Sequence, residues 1–415
     1  MRRRGAVLAG LLLLGGTGCL GIFDASEGTP ALLTALPREL TAPEAHVLAA
    51  SNGFGFALFH EARQAQPDAN IFLSPISATL ALAMTLNGAA GTTEASMRVA
   101  LQLGGASFAE LNAGYRSLID LLRGLDGTGE FRIANSIWSD QGFPFFEAFL
   151  DSARTYFDAL VQSLDLQAPA SLGTINDWVK QQTAGKIPTI LDQVQQDEVM
   201  FLINAIYFKG RWRKAFDPKH TAPAPFHAAD GTTQSVPTMS LEATELRHAD
   251  RPEAQLVELL YGNGAFALTI VLPNPGRTLA GVVAGLDAAR WAEWTAAIRE
   301  SKFALTLPKF RLEYKRELKD DLTALGMGIA FDDQRADFSR LGSRALGNLF
   351  LTRVTQKTFV DVNEEGTEAA AATSVGVGVT SAPPTIVVNR PFLFVLRERL
   401  SGTIFFIGQI NKVPG

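Results

Sequence analysis

Asn363–Ser381 reads N-E-E-G-T-E-A-A-A-A-T-S-V-G-V-G-V-T-S and lies between two strongly apolar strand candidates, Leu349–Val362 and Thr385–Leu396. Its composition is odd for a strand and odd for a loop. At the period of 2 that a strand imposes, one face carries Thr367, Ala369, Ala371, Thr373, Val375, Val377 and Val379. The other carries Glu368, Ala370, Ala372, Ser374, Gly376, Gly378 and Thr380. The first set suits burial and the second suits water. With no large side chain among the central residues, the segment fits either a loop or a central strand. Gly366 at its start offers a hinge free of Cβ restriction. On composition alone, Ala/Gly/Val stretches of this kind more often mean a flexible linker.

The flanking residues change that balance. Glu364–Thr373, E-E-G-T-E-A-A-A-A-T, resembles the hinge of the reactive-centre loop in the serpin family. Val387–Leu396, V-V-N-R-P-F-L-F-V-L, resembles that family's C-terminal signature, centred on Asn389, Arg390, Pro391 and Phe392. Other matches follow in order: N-I-F-L-S-P-I-S (Asn70–Ser77), I-N-D-W-V-K-Q-Q-T-A-G-K-I (Ile175–Ile187), L-I-N-A-I-Y-F-K-G-R-W (Leu202–Trp212), F-A-L-T-L-P-K-F (Phe303–Phe310) and F-D-D-Q-R-A-D-F-S (Phe331–Ser339). The resemblance spans nearly all of Pro43–Val413. It implies an α+β fold of three sheets and about eight or nine helices, with an exposed reactive-centre loop at about 364–384. It also implies a suicide inhibitor of proteases whose loop, once cut, inserts into a sheet.

The pattern of the chain agrees with a single α+β domain. At 415 residues, 47% hydrophobic and 19% charged, it has the material for a large core. Helices are expected at Pro43–Gln66, Pro75–Leu86, Thr92–Leu101, Phe108–Leu122, Phe145–Phe157 and Leu172–Ala184. Strands are expected at Asn70–Ser74, Phe131–Trp138, Val199–Phe208, Phe266–Leu272, Phe303–Phe310, Leu349–Val362, Ile386–Leu396 and Thr403–Ile410. Helices gather in the first half and strands in the second, without βαβ alternation. A net charge of −5 without dense Lys/Arg runs gives no reason to expect nucleic acid.

The N-terminus reads as a targeting segment. Arg2–Arg4 precede the apolar run Ala6–Leu14, and G-G-T-G-C then ends at Cys19, the single cysteine of the chain. This resembles a bacterial lipobox, which implies lipidation of Cys19 and export to an outer membrane, a cell surface or the extracellular space. Gly16 departs from that pattern, so ordinary signal cleavage stays open. Residues 1–19 are thus a signal peptide, 20–43 a flexible tether and 44–415 the folded domain, expected to be monomeric.

No cofactor is expected. Histidines 46, 60, 220, 227 and 248 are scattered, there is no H-E-x-x-H, G-x-S-x-G or P-loop motif, and no cysteine is free for a zinc cluster. An enzyme is therefore not expected. The resemblance assigns Glu364, Gly366, Thr367, Glu368, Ala369, Ala370, Ala371 and Ala372 to the hinge. Its register places the bait bond at Thr380–Ser381, with Val379 as runner-up. A small side chain there suits the shallow pocket of an elastase-like protease or a subtilisin-like one. Ser74, Ser77 and Asn204 fall in the family's polar cluster beneath the opening sheet, with Gln356 where a His is common. Ser74 and Ser77 also suit simple helix capping. Trp212, Lys309 and Glu364 fall where the loop joins the sheet, the last two as an ion pair. Phe108–Leu122 lacks the basic stripe of glycosaminoglycan-activated members. The alternatives are a non-inhibitory carrier, chaperone or surface protein of the same family, or a simple protease substrate.

Overall fold

The computed structural model describes residues 30–343, 347–367 and 384–414. Two hydrogen-bonded sheets enclose one main core, with nine α-helices among the described residues.

The first half supplies the helical side. α1 (Ala42–Ala65) starts at a capping box in which Thr41 and Glu44 satisfy each other's backbone N–H groups. α2 (Pro75–Leu86) starts on Pro75, whose missing N–H costs nothing at that position. α3 (Gly91–Ala100) and α4 (Phe108–Arg123) follow, the latter opened by a second capping box, Ser107 with Glu110. α1 packs against α2 and α4, burying Val47, Phe54, Leu58, Tyr115 and Leu118. Residues 30–41, expected to be loose, lie against the body. Leu33 N donates to Asn263 O, Arg213 donates to Pro30 O, and Leu33, Leu36 and Leu40 pack on the core.

The six-stranded sheet runs β10 (Phe310–Glu317), β11 (Thr355–Asn363), β12 (Gly366–Thr367), β4 (Met200–Arg211), β2 (Glu130–Asp140), β3 (Ala159–Leu164). α6 (Pro169–Gln182) crosses its outer face over a small second core of Trp138, Ile175, Val179, Phe201 and Ile203. The inner face packs on the main core. α5 (Glu147–Phe157) packs beside β3.

The nine-stranded sheet contains β1 (Ile71–Leu73), β15 (Ile404–Ile410), β14 (Phe392–Glu398), β8 (Phe266–Pro273), β7 (Ala254–Leu260), β6 (Thr233–Asp250), β9 (Arg299–Pro308) and β13 (Thr385–Val387), with β5 (Ala222–His227) beside β6. The register of β6 on β9 shifts between Leu241 and Thr244. Below the shift β6 pairs with β5, and above it with β7. Hydrogen bonding thus joins the second and third of the three expected sheets through this long bent strand. The β2–β3 and β13–β9 ladders are parallel and the other described ladders antiparallel. α7 (Leu279–Val283), α8 (Ala288–Ala296) and α9 (Lys319–Leu322) cover the remaining flanks.

Three expected strands are shorter or divided. Phe303–Phe310 breaks after Pro308, so β9 and β10 lie in different sheets. Ile386–Leu396 is interrupted at Val388–Pro391, where Pro391 has no N–H to give a ladder. In Leu349–Val362 only Thr355 onward is strand, because Leu349–Val354 has no paired neighbour.

Candidate functional site: a sheet parted along its middle

β4 and β11 are the central neighbours of the six-stranded sheet, yet no described ladder joins them directly. Among the described residues only β12 bridges them. Gly366 and Thr367 pair with Arg211 and Gly210 on one side and with Asn363 and Val362 on the other. Below that bridge the interval holds no described strand. Its lower part is a cavity of about 420 Å³ between Met200–Asn204 and Leu349–Gln356.

The upper end shows why the residues at the bridge are what they are. Gly366 has φ +151°, and a Cβ there would meet Gly210 O at 2.0 Å and Arg211 Cα at 2.9 Å. No other residue fits this fold-back. Gly210 is just as restricted, since its Cβ would strike the rings of Phe208 and Tyr261 at 2.7 Å. Thr367 is buried and its Oγ1 lies 2.8 Å from Tyr261 Oη. Tyr261 in turn stacks on Trp212, with ring centroids 4.4 Å apart. Trp212 holds the fold-back twice, its backbone N–H donating to Glu365 O and its Nε1 to Asn363 O, both at 2.8 Å. Sequence reading placed Trp212 here and missed Tyr261.

The Lys309–Glu364 ion pair forms at 2.8 Å, and Thr221 Oγ1 donates to the same carboxylate at 2.7 Å. Burial works against the charge on Glu364, but the hydrogen bonds from Lys309 and Thr221 outweigh it and hold the carboxyl below its ordinary value. A carboxyl depressed in the folded state stabilises above the ordinary carboxylate range, and this is lost as pH falls through the depressed value. The stability difference between wild type and Glu364→Gln, measured by urea unfolding, is therefore positive above about pH 5 and shrinks in acid. A pH-independent difference would contradict this.

The polar cluster is real but divided by the cleft. On the β11 side, Gln356 Nε2 donates to Ser74 O at 2.8 Å and Ser74 N donates to Gln356 Oε1 at 2.9 Å. Ser74 Oγ donates to Phe405 O at 2.7 Å, so its side chain does not cap α2. On the β4 side, Asn204 Nδ2 donates to Asn135 Oδ1 at 2.6 Å, and Ser77 Oγ reaches Asn204 O at 3.5 Å. Asn204 Oδ1 is shielded from solvent without a hydrogen-bond partner. Gln356→Leu would strand the buried N–H of Ser74, since Ser74 O keeps the N–H of Ala78, at a cost of about 1–3 kcal/mol. The expected loss is about 1–3 kcal/mol of unfolding free energy, read from urea midpoints. A loss under about 1 kcal/mol would mean that the pair is not held as described.

Asn389–Phe392 pins the far side of the loop. His227 N donates to Asn389 O, Arg390 Nη2 donates to Pro273 O at 2.7 Å, and Phe392 is fully buried against Phe226 and Phe310. Glu368, Ala369–Ala372, Val379, Thr380, Ser381 and Cys19 lie outside the described residues. Among the described residues no cluster of His, Cys, Asp and Glu is arranged to hold a metal, and no helix is long and apolar enough to cross a membrane.

The described sheet is thus parted at its centre, with Gly366 and Thr367 paired on both sides within the gap. The family model for "Serpin (serine protease inhibitor)" matches residues 49–413. Serpin B10 of Sorex araneus is 32% identical over 85% of this chain and 96% of its own length. Serpin B8 of Bos taurus is 35% identical over 83% and 93%. Among solved structures, the thermophilic serpin tengpin in its native state superposes with a TM-score of 0.82 at 29% identity, covering 92% of this chain and 98% of that one. The chain belongs to the serpin family, a family of protease inhibitors and not of enzymes.

Proposed function

We propose that this chain traps a serine protease by the insertion mechanism: the protease cuts the loop at Thr380–Ser381, is held as an acyl-enzyme, and is carried away as the freed loop enters the sheet. The observation that supports this reading most is β12. Gly366 and Thr367 are antiparallel to both flanking strands, so their register states where a following strand would go. Each further loop residue steps one residue back along β4 and along β11. Thr373 then falls between Asn204 and Gln356, and Val379 falls opposite Glu198. Thr367 faces inward, so in such a strand Ala369, Ala371, Thr373, Val375, Val377 and Val379 would face inward too. These are small enough to enter without overpacking, which would cost about 1–3 kcal/mol each. Thr373 would bring a hydroxyl to the unpartnered Asn204 Oδ1. A run of some 14 residues at ~3.3 Å each moves the attached protease about 46 Å.

The small residue at Thr380 favours an elastase-like or subtilisin-like target, and Val379 keeps that class if the bond lies one residue earlier. The Arg2–Cys19 pattern supports export, with a membrane anchor if Cys19 is lipidated. The test mixes the mature chain with pancreatic-type elastase and with subtilisin, followed by denaturing gels and N-terminal sequencing of the released peptide. The expected result is a complex that survives denaturation and a peptide starting at Ser381. Cleavage without a complex and without a gain in heat stability would overturn the reading in favour of a substrate or carrier.

A further inference from the structure

The lower end of the parted sheet is tied across by side chains that the insertion reading leaves unused. Glu198 stands just before β4 and Arg353 just before β11, on opposite banks of the interval, and both line the cavity. The Glu198 side chain is only 1% exposed. Its Oε1 lies 2.7 Å from Arg353 Nε and accepts from Thr352 Oγ1 at 3.2 Å. Its Oε2 accepts from Arg353 Nη2 at 3.0 Å and from Gln195 N at 2.7 Å. Arg353 Nη2 also donates to Gln193 O at 2.7 Å, and its guanidinium carbon lies 5.6 Å from the centre of the Phe201 ring. Lys357 Nζ donates to Thr189 O, and Lys315 pairs with Asp192. The stretch from Thr189 to Glu198, which leads from α6 into β4, is thereby strapped to the strands of the other bank. The upper pair, Lys309 with Glu364, joins two residues of one bank and does not cross the interval.

Carried down in the register of β12, Gly376 falls between Phe201 and Arg353, Val377 opposite Thr352 and Val379 opposite Glu198. A strand seated there would hold its two neighbours ~9.6 Å apart. Thr352 stands two residues out of step with Glu198, so their Cα atoms would then be ~12 Å apart. A threonine and a glutamate side chain joined by one hydrogen bond span roughly 10 Å at most. The Thr352 bond must therefore break as the strand arrives, and Arg353 can keep Glu198 only near full extension. Opening the contact leaves a buried carboxylate short of its cation, which is costly. We infer that Glu198 and Arg353 are positioning residues for the last stage of insertion. Their tie holds back residues 376–380 until it opens, and so sets the share of acyl-enzyme that is trapped before it hydrolyses. Those five residues at ~3.3 Å each are about 16 Å of the protease's path. This rests on the trapping function proposed above.

Glu198→Gln keeps the size of the side chain and removes its charge, and Arg353→Gln removes the cation. Wild type, both single variants and the double variant are mixed with elastase and with subtilisin at saturating protease. The experiment reads the rate of denaturant-resistant complex, the rate of loop cleavage, and the urea midpoints of intact and of loop-cleaved, protease-free chains. Glu198→Gln is expected to form complex about tenfold faster, the factor carried by about 1.4 kcal/mol, with loop cleavage unchanged. In the intact chain the two substitutions should be strongly non-additive, as directly paired residues are. In the cleaved chain they should be close to additive, because the tie is open there. A pair that merely supports the fold would stay coupled in both forms. Should Arg353→Gln not fold, the rate of Glu198→Gln decides alone. A wild-type rate in Glu198→Gln, or non-additivity of equal size before and after cleavage, would overturn the inference while leaving trapping intact. Absence of any wild-type complex would overturn trapping, and the comparison of intact with cleaved chains would still decide the tie.

Discussion

Thr367→Arg is expected to convert the inhibitor into a substrate. In the described structure Thr367 sits between Val362 and Gly210 with its hydroxyl on Tyr261, in a site closed by Phe208, Tyr261 and Trp212. A guanidinium in that place has no anionic partner within the bridge, and an unpaired buried charge costs several kcal/mol. Each ~1.4 kcal/mol is a factor of ten in rate, so insertion slows by about 100-fold or more. The acyl-enzyme meanwhile hydrolyses at its ordinary pace, because nothing in the substitution touches the protease. The measurement is the yield of denaturant-resistant complex beside the yield of cleaved chain. Complex should vanish while cleavage persists. Thr367→Ser, which keeps the hydroxyl and the size, should still trap. If Thr367→Arg traps as wild type does, then β12 is not the start of the inserting strand. Loss of trapping in Thr367→Ser as well would point to a general disturbance of the hinge instead.

The same bridge shows what the sequence carries and what it does not. The freedom of Gly366 was legible because it is a local property of glycine, but the approach of the distant Gly210 backbone, which admits no Cβ there, was not. The starts expected at Pro43 and Phe108 lie at or within one residue of the observed ones, although the capping boxes that fix them, Thr41/Glu44 and Ser107/Glu110, were not read from the sequence. The Lys309–Glu364 pair and the Ser74, Ser77, Asn204 and Gln356 cluster came from resemblance, since no local pattern brings residues that distant together. Their division into two halves across a cleft was not legible. Gln356 was expected to share one network with Asn204 and instead binds Ser74, because an open interval separates β11 from β4. Tyr261 was missed altogether. It lies 106 residues from the threonine it contacts, in a turn where a single Tyr gives no periodic signal. The 18-residue β6 was missed because its polar, Pro237-containing sequence reads as loop, while its pairing comes from β5, β7 and β9. Leu349–Val354 erred in the opposite direction. It has the composition of a strand, but a strand also needs a neighbour, and its neighbour is the cavity.

Cleavage within the loop is expected to raise the melting temperature, the reverse of what a nick does to an ordinary protein. An unattached break adds freedom to the chain and lowers stability or leaves it unchanged. Here the break releases a segment whose slot exists. Among the described residues the facing edges of β4 and β11 lack a ladder below Gly210 and Val362, and Asn204 Oδ1 is without a partner. Filling the slot forms backbone hydrogen bonds on both sides of the new strand, at ~1 kcal/mol each, which roughly offset the ~1–2 kcal/mol per residue spent in ordering it. The surplus comes from inward side chains. Val375, Val377 and Val379 alone contribute ~1.5–3 kcal/mol each on burial. A gain on the order of 5–10 kcal/mol at about 2 °C per kcal/mol places the cleaved form about 10–20 °C above the intact one by calorimetry. Cleaved Thr367→Arg should lack most of that rise, because its strand cannot pass the closed site at Tyr261. A wild type that melts at the same temperature or lower after complete cleavage would mean that the cleft is not filled by the loop, and trapping would then have no source of energy.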